Sequence, residues 1–337
     1  MSLLPYLNQV ISRESLSALD AESAMQIILN GGATPAQIAA FLTALKMKGE
    51  TSEELVGFAR AMRRMAAPIE HGVGAGALLD TCGTGGDGAN TFNISTVAAF
   101  VVAGAGVHVA KHGNRSISSK CGSADLLEAW GVDIAMPPER AARAIREIGI
   151  GFLFAPAVHT AMKHAHPVRT ELKMRTVFNL LGPLTNPAGA NAQLAGAPSL
   201  ESAELIARAL ASLGLKRGFV VHGNDGLDEI TTTGPTTAWE IHDGHAHKRT
   251  LEPADFGLRR SRAEDLRGGD SARNREIADA VLAGAPGAAR EIVMANAAAA
   301  LVASGKAATF LEGMAIALVA IDSGAARRKV AELAAFH

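Results

Sequence analysis

Leu78-Leu79-Asp80-Thr81-Cys82-Gly83-Thr84-Gly85-Gly86-Asp87-Gly88, running on into Asn90-Thr91-Phe92-Asn93-Ile94-Ser95-Thr96, carries a strand end, a glycine loop and a helix start in one stretch. Glycines let backbone N–H groups close on an anion, and a helix N-terminus adds unsatisfied donors and the positive end of a dipole. The stretch therefore reads as a phosphate cradle at the end of a buried strand. Gly83, Gly85 and Gly88 satisfy G-x-G-x-x-G, but a dinucleotide site also wants an acid about 20 residues further on to hold the ribose. Val107-His108-Val109-Ala110-Lys111-His112 stands there instead and ends in a cation. The Walker pattern fails as well, because no Lys-Ser or Lys-Thr closes the loop. The anion site belongs to neither common nucleotide-binding class.

Working outward, Lys111-His112-Gly113-Asn114-Arg115-Ser116-Ile117-Ser118-Ser119 repeats the arrangement after the next apolar run, with Gly122-Ser123 at another helix start. Lys111 supplies charge, the hydroxyls and Gly113 supply donors, and Ser123 is expected to cap a helix over Ala124 to Trp130. Two cradles on neighbouring strand ends suit a ligand with separated phosphoryl groups. Leu78–Asp80, Val107–Val109, Val132–Ile134, Phe152–Phe154 and Phe219–Val221 are strand candidates. Helices fit Thr96 to Ala103, Glu139 to Ile148 and Ser202 to Leu213. Such alternation predicts an α/β fold, a mainly parallel sheet covered by helices with ligands at the strand ends.

Upstream, Thr34-Pro35-Ala36-Gln37 and Thr51 to Glu54 carry capping signals, and Ile38, Phe41, Leu42 and Leu45 recur at helical spacing. These residues predict a small N-terminal helical lobe over 1–70, ending in the Gly-rich run His71 to Gly76. The large α/β lobe then spans 76–337. Downstream, Asp243-Gly244 between alternating runs predicts a hairpin within Ala238 to Leu251, and the chain is Ala-rich and helical from Ser271 on.

At 337 residues the chain is long enough for two lobes and a cleft. Its 32 basic and 33 acidic side chains leave a net charge of -1, which gives no electrostatic footprint for holding a nucleic acid along a face. Bound phosphate should be held locally, in a pocket. The longest apolar stretch, Val97 to Ala110, falls short of the ~20 residues of a membrane span, and MSLLPYLNQVISRE lacks the features of a secretory signal. Two cysteines, Cys82 and Cys121, are too few for a disulfide framework. A cytoplasmic protein without membrane contact is expected.

A third motif, Gly223-Asn224-Asp225-Gly226-Leu227-Asp228-Glu229, also follows a strand. Adjacent acids there are commonly a solvated turn. Beside two phosphate loops they gain a second meaning, because Mg²⁺ prefers hard carboxylate oxygens and usually sits between one or two carboxylates and substrate phosphates. His159, His164 and His166, like His242, His245 and His247, lack the spacing of an established zinc site.

The runs Gly83 to Asp87, Asn93 to Thr96, Lys111 to Arg115, Arg175-Thr-Val-Phe-Asn-Leu-Leu-Gly-Pro-Leu-Thr-Asn-Pro187 and Asp228-Glu229 resemble those of the anthranilate phosphoribosyltransferase family, in order and over nearly the whole chain. The resemblance implies a fold of the nucleoside phosphorylase/phosphoribosyltransferase type, with the helical lobe joined by helices near 170–182, and a homodimer. It implies transfer of the phosphoribosyl group of phosphoribosyl pyrophosphate (PRPP) to the amine of anthranilate in tryptophan biosynthesis, with Mg²⁺ as cofactor. By the same resemblance, PRPP is surrounded by Gly83, Gly86, Asp87, Thr91, Asn93, Ile94, Ser95, Thr96, Lys111, His112, Gly113, Asn114, Arg115, Ser116, Ile117, Ser118, Ser119 and Ser123. Anthranilate meets Gly83, Asn114, Arg169, His112 and His159, and Ser95, Asp228 and Glu229 hold the metal. Without the resemblance, Arg169 reads as a solvated residue at a helix start and Arg115 as a surface charge. The chain departs from the family pattern at Trp130, Cys121, Thr160 and Arg275, none of them an implied contact. A pyrimidine nucleoside phosphorylase, acting at the same kind of anomeric carbon, is the nearest rival. A non-catalytic relative binding nucleic acid or a regulatory partner is the rival of another class.

Overall fold

The computed structural model describes residues 2–74, 76–116 and 120–337. It opens with four helices, α1 (Leu4–Ile11), α2 (Ala18–Leu29), α3 (Pro35–Lys48) and α4 (Ser52–Met65). Thr34 and Thr51 each close a capping box, with Gln37 and Glu54 reaching back to the cap N–H, so the sequence signals translate directly into helix starts. An irregular segment then leads to β1 (Leu78–Asp80), α5 (Ile94–Gly104), β2 (His108–Gly113), α6 (Ser123–Ala129), α7 (Pro138–Ile148) and β3 (Ile150–Phe154). Short helices α8 (Ala155–Val158), α9 (His166–Leu172) and α10 (Phe178–Leu181) precede β4 (Ala192–Gly196), α11 (Leu200–Ser212) and β5 (Arg217–Gly223). The hairpin β6 (Thr236–His242) and β7 (His245–Leu251) follows, then α12 (Ser271–Leu282), α13 (Ala288–Ala303), α14 (Phe310–Asp322) and α15 (Ala325–Ala334).

The seven strands form one sheet of order β3-β2-β1-β4-β5-β6-β7, parallel from β3 to β5 and antiparallel at β6 and β7. Asp243 and Gly244 take left-handed φ of 49° and 77°, as a two-residue hairpin turn requires. The chain leaves β1 toward β2 and β3 on one side and returns through β4 and β5 on the other. The crevice at the carboxyl ends of β1 and β4 is thus a topological switch point, where open α/β sheets bind ligands.

Two hydrophobic clusters cover the two faces of the sheet. Phe219 and Val221 of β5 enter one, built on α5, α7 and α12 to α15, while Val220 between them enters the other. That second cluster joins the N-terminal helices, Ala165, Val168, Phe178 and Leu181, and α11 in a single core. The amino-terminal helices accordingly have no core apart from the sheet: α11 lies between α4 and strands β5 and β6.

Three local expectations are corrected. Val132–Ile134 is a turn, because Asp133 accepts from the N–H of Ala135 at 3.1 Å and Pro137 stands three residues beyond Ile134. Strand β4 has no counterpart among the expected strands, since Ala-Gln-Leu-Ala-Gly carries no β-branched residue to mark it. Ser123 does not cap α6; its hydroxyl exchanges hydrogen bonds with the backbone of Asn114, and Asp125 accepts from the N–H of Gly122 in its place. Two departures from the family pattern share one seam. Trp130 Nε1 donates to Asp279 at 2.8 Å, and Arg275 donates to the carbonyl of Ala129, so both bind α6 to α12.

Candidate functional site

Asp80 ends β1 fully buried, and its carboxylate accepts from the N–H of His112 at 3.1 Å and from Asn186 Nδ2 at 2.8 Å. Asn186 also donates to the carbonyl of Ala110, so one side chain ties the ends of β1 and β2 to the segment before β4. Burial pushes the Asp80 carboxyl up to about 6, against the pull of Asn186, Lys111 and the neighbouring amides. Beside it, the Lys111 ammonium donates to Thr81 Oγ1 at 3.1 Å and to the Thr81 carbonyl at 3.3 Å, and the Thr81 hydroxyl donates to the carbonyl of Ser95. Strand β2, strand β1 and the first turn of α5 are thereby linked in one polar chain.

The glycine loop lies over the end of β4. A Cβ on Gly83 would stand 3.2 Å from the Gly196 backbone and 3.3 Å from Asp228 Oδ2, and one on Gly196 would overlap the Asp228 carbonyl at 1.5 Å. Only side-chain-free residues permit this approach of three chain segments. Gly85 and Gly86 take positive φ of 65° and 82°. The Gly85 N–H donates to Asp228 Oδ2 at 2.9 Å, the N–H of Ser95 donates to Glu229 Oε1 at 3.0 Å, and the N–H of Asp228 donates to Asp87 at 3.4 Å. Two amides suited to an anion are therefore held by the acid pair itself. Burial and then repulsion from Glu229 and Asp87 hold the Asp228 carboxyl well above the ordinary carboxylate range. Burial raises Glu229 to about 7, with Lys111 and Ser95 pulling the other way.

Asn93 stands at the N-cap position of α5, but its side chain faces elsewhere, donating to the Cys121 carbonyl and accepting from Asn274 Nδ2 at 3.0 Å. Ile94 and Thr96 are buried in the first turn of α5, and Thr91 pairs with Arg267 in an isolated bridge. Gly113 leaves no room for a Cβ, which would meet Ser123 Oγ at 2.3 Å and the Phe152 ring at 2.7 Å. Asn114 accepts from the N–H of Arg115, and the N–H of Ser116 donates to Asp125. The Arg115 guanidinium is committed to Asp125 at 2.9 Å and to both oxygens of Glu128 at 2.6 and 2.7 Å, on α6. Ile117, Ser118 and Ser119 lie outside the described residues.

Toward the N-terminal helices, His112 and His159 meet edge to face with ring centroids 5.2 Å apart. His112 Nδ1 lies 3.0 Å from the Gly182 carbonyl, which can only accept, so the proton sits on Nδ1. Both Nε2 atoms are buried without a hydrogen-bond partner. Burial lowers His112 to about 4 and His159 to about 3, which leaves both imidazoles neutral. Arg169, on α9, lies with its guanidinium carbon 5.0 Å from the Phe178 ring centroid, and no described carboxylate pairs with it. Sequence reasoning passed over Asn186 and Arg175, although both stand within the Arg175 to Pro187 run. Arg175 reaches back to the carbonyls of Gly85 at 3.2 Å and Gly86 at 3.3 Å.

The structure thus brings Gly83, Ser95, Asp228 and Glu229 into one crevice at the switch point, with Lys111 and Asp87 beside them. Among the described residues no three acidic, histidine or cysteine side chains form a ready-made metal cage. The acid pair nevertheless suits a cation that completes its shell with substrate phosphates and water, as Mg²⁺ does.

A family model described as "Glycosyl transferase family, a/b domain" matches residues 75–327, and one described as "Glycosyl transferase family, helical bundle domain" matches 4–66. An anthranilate phosphoribosyltransferase of Solibacter usitatus is 74% identical over 336 residues, covering 100% of this chain and 99% of the relative. The crystal structure of anthranilate phosphoribosyltransferase from Thermus thermophilus superposes with a TM-score of 0.92 at 45% identity, covering 98% of each chain. The Saccharomyces cerevisiae enzyme in complex with PRPP and Mg gives a TM-score of 0.89 at 31% identity, over 98% of this chain and 96% of that one.

Proposed function

The chain belongs to the anthranilate phosphoribosyltransferase family, and from that membership we infer that it transfers the phosphoribosyl group of PRPP to the amine of anthranilate, giving N-(5-phosphoribosyl)anthranilate and pyrophosphate in tryptophan biosynthesis. The observation that carries this reading is the crevice at the end of β1 and β4, where glycine-loop amides, the start of α5 and the pair Asp228 and Glu229 converge. Residues 76–337 would form the PRPP side of the cleft, and residues 1–70 with the helices near 170–182 the facing wall. The working form proposed is a cytoplasmic homodimer acting on small molecules alone. No helix of the described chain is long and apolar enough to cross a membrane.

In this reading PRPP lies along Gly83, Gly86, Asp87, Thr91, Asn93 to Thr96, Lys111 to Ser116 and Ser123. Asp228, Glu229 and Ser95 would hold Mg²⁺, which when bound neutralises charge on the pyrophosphate leaving group. The loop amides and Lys111 stabilise the charge that gathers on the departing oxygens. Asp228 and Glu229 hold the amides of Gly85 and Ser95 through one carboxylate oxygen each, which ties the acid pair to the loop and to the start of α5. Asp87, a carboxylate inside an anion loop, fits a role toward ribose hydroxyls or the metal rather than toward phosphate.

Arg169, lacking a carboxylate of its own, offers a planar fork for the carboxylate of anthranilate, with Gly83 and Asn114 alongside. The unpartnered Nε2 of His112, whose proton sits on Nδ1, carries a lone pair that suits an N–H donor such as the aromatic amine, with His159 beside it. An aromatic amine is largely unprotonated at neutral pH, so attack on the anomeric carbon requires orientation more than a strong base. The test is to mix the protein with anthranilate, PRPP and Mg²⁺ and follow anthranilate fluorescence. Loss of fluorescence with release of pyrophosphate is expected, and Arg169→Ala should raise the anthranilate KM about tenfold or more with little change in that for PRPP. Stable fluorescence together with thymidine phosphorolysis would move the chain to the nucleoside phosphorylases.

A further inference from the structure

Arg175 belongs to the long run ending at Pro187, and no part of the mechanism above uses it. Its two terminal nitrogens donate to consecutive carbonyls of the glycine loop, Gly85 at 3.2 Å and Gly86 at 3.3 Å. Among the described residues it pairs with no carboxylate, and its hydrogen bonds to them all go to that loop while the rest of the exposed guanidinium faces solvent. The approach is close: a Cβ on Gly86, whose φ of 82° already favours glycine, would fall 1.5 Å from Nη1 at the movable end of the Arg175 side chain. Among the described residues the only other side chain on either carbonyl is the hydroxyl of Thr84, which belongs to the loop itself.

The two faces of the loop are gripped by different groups. On the amide side, Asp228 accepts from the N–H of Gly85; on the carbonyl side stands Arg175. In the reading given above, Asp228 would also hold the metal. Arg175, donating to the carbonyls of Gly85 and Gly86, is a grip on the loop that a metal at Asp228 would leave untouched. Such a pair of neighbouring carbonyls suits the fixed fork of a guanidinium, whereas an ammonium is a point donor on a flexible stem with no matching geometry.

We propose that Arg175 is a positioning residue for PRPP, fastening the glycine loop by the carbonyls of Gly85 and Gly86 so that its amides face the substrate. The segment that carries it connects α9, with Arg169, to α10, so the same residue ties the PRPP loop to the helices on the anthranilate side. This rests on the phosphoribosyl-transfer reading, and the experiment separates the two. Steady-state kinetics of the unaltered chain, Arg175→Ala and Arg175→Lys are measured against PRPP and against anthranilate, with the melting temperature of each. The expected result is a PRPP KM raised about tenfold in Arg175→Ala and less in Arg175→Lys, with the anthranilate KM within about twofold. Added guanidinium ion should lower the raised PRPP KM of Arg175→Ala, which a general packing defect would not allow. If Arg175→Ala melts early, Arg175→Gln, which keeps one amide donor, carries the same comparison. An unchanged PRPP KM, equal losses toward both substrates, or no response to guanidinium in an active enzyme overturns the proposal. An inactive unaltered chain overturns the phosphoribosyl-transfer reading itself.

Discussion

His112 and His159 show how far burial alone can set a side chain's chemistry. Both have folded-state values, about 4 and about 3, below the ordinary imidazole value of 6.5. The unfolded chain therefore takes up protons more readily than the native one between 6.5 and those values. Stability from the pair is fully present above 6.5 and is lost as pH falls toward 4. Asp80, raised to about 6, Glu229, raised to about 7, and Asp228, also raised, work in the opposite direction over that range, so the histidine contribution is isolated by comparing variants. Between about pH 7 and about pH 5 we expect the melting temperature of the unaltered chain to drop by a few degrees relative to that of His112→Gln, whatever the net trend of either. Parallel pH profiles would contradict the assignment. Sequence motifs pointed to both histidines, but not to their contact, because residues 47 positions apart meet only once β2 and the segment after α8 are laid side by side. Arg175 escaped notice for a related reason. Nothing in its own neighbourhood in the chain says that it spans back about 90 residues to Gly85.

At the scale of elements, local chemistry was the most legible part. Thr34, Thr51 and the Asp243-Gly244 turn act where their types require, since capping and tight turns are settled within four residues. Glu54 goes further than its capping role. Wholly buried, it accepts from the N–H of Thr51 at 2.9 Å, the N–H of Leu16 at 3.0 Å and the buried Lys48 ammonium at 3.0 Å, so one carboxylate joins the ends of α3 and α4 to the start of α2. Removing it strands Lys48 without its counter-charge. Glu54→Ala should lower unfolding stability by about 3–5 kcal/mol, with Thr51→Ala costing about 1 kcal/mol, as read from denaturant midpoints. Equal effects of the two would show that only the cap matters. The illegible elements were those decided by partners. Strand β4 is strand because β1 and β5 flank it, whereas the Val132–Ile134 run lacks a partner and turns on Asp133.

For the whole molecule, the alternation of strands and helices announced a parallel sheet with its ligand site at the strand ends, and the sheet has that form with an antiparallel hairpin added. What the alternation did not show is that the amino-terminal helices share one core with α11 and a face of the sheet. A helical lobe reads as separate in sequence because its apolar stripes do not reveal what they face. The glycine at 196 likewise gave no sign in the chain that it admits the Asp228 carbonyl, the contact that draws the acid pair to the glycine loop. The central claim is that this acid pair, the loop and Lys111 form one site for a single metal-bearing pyrophosphate ligand. Calorimetric titration of PRPP into the unaltered chain, with and without Mg²⁺, and into Asp228→Asn tests it most directly. The account predicts binding that Mg²⁺ tightens at least about tenfold and that loses this gain in Asp228→Asn. Binding of PRPP that is indifferent to Mg²⁺, or a full Mg²⁺ response in Asp228→Asn, would contradict it.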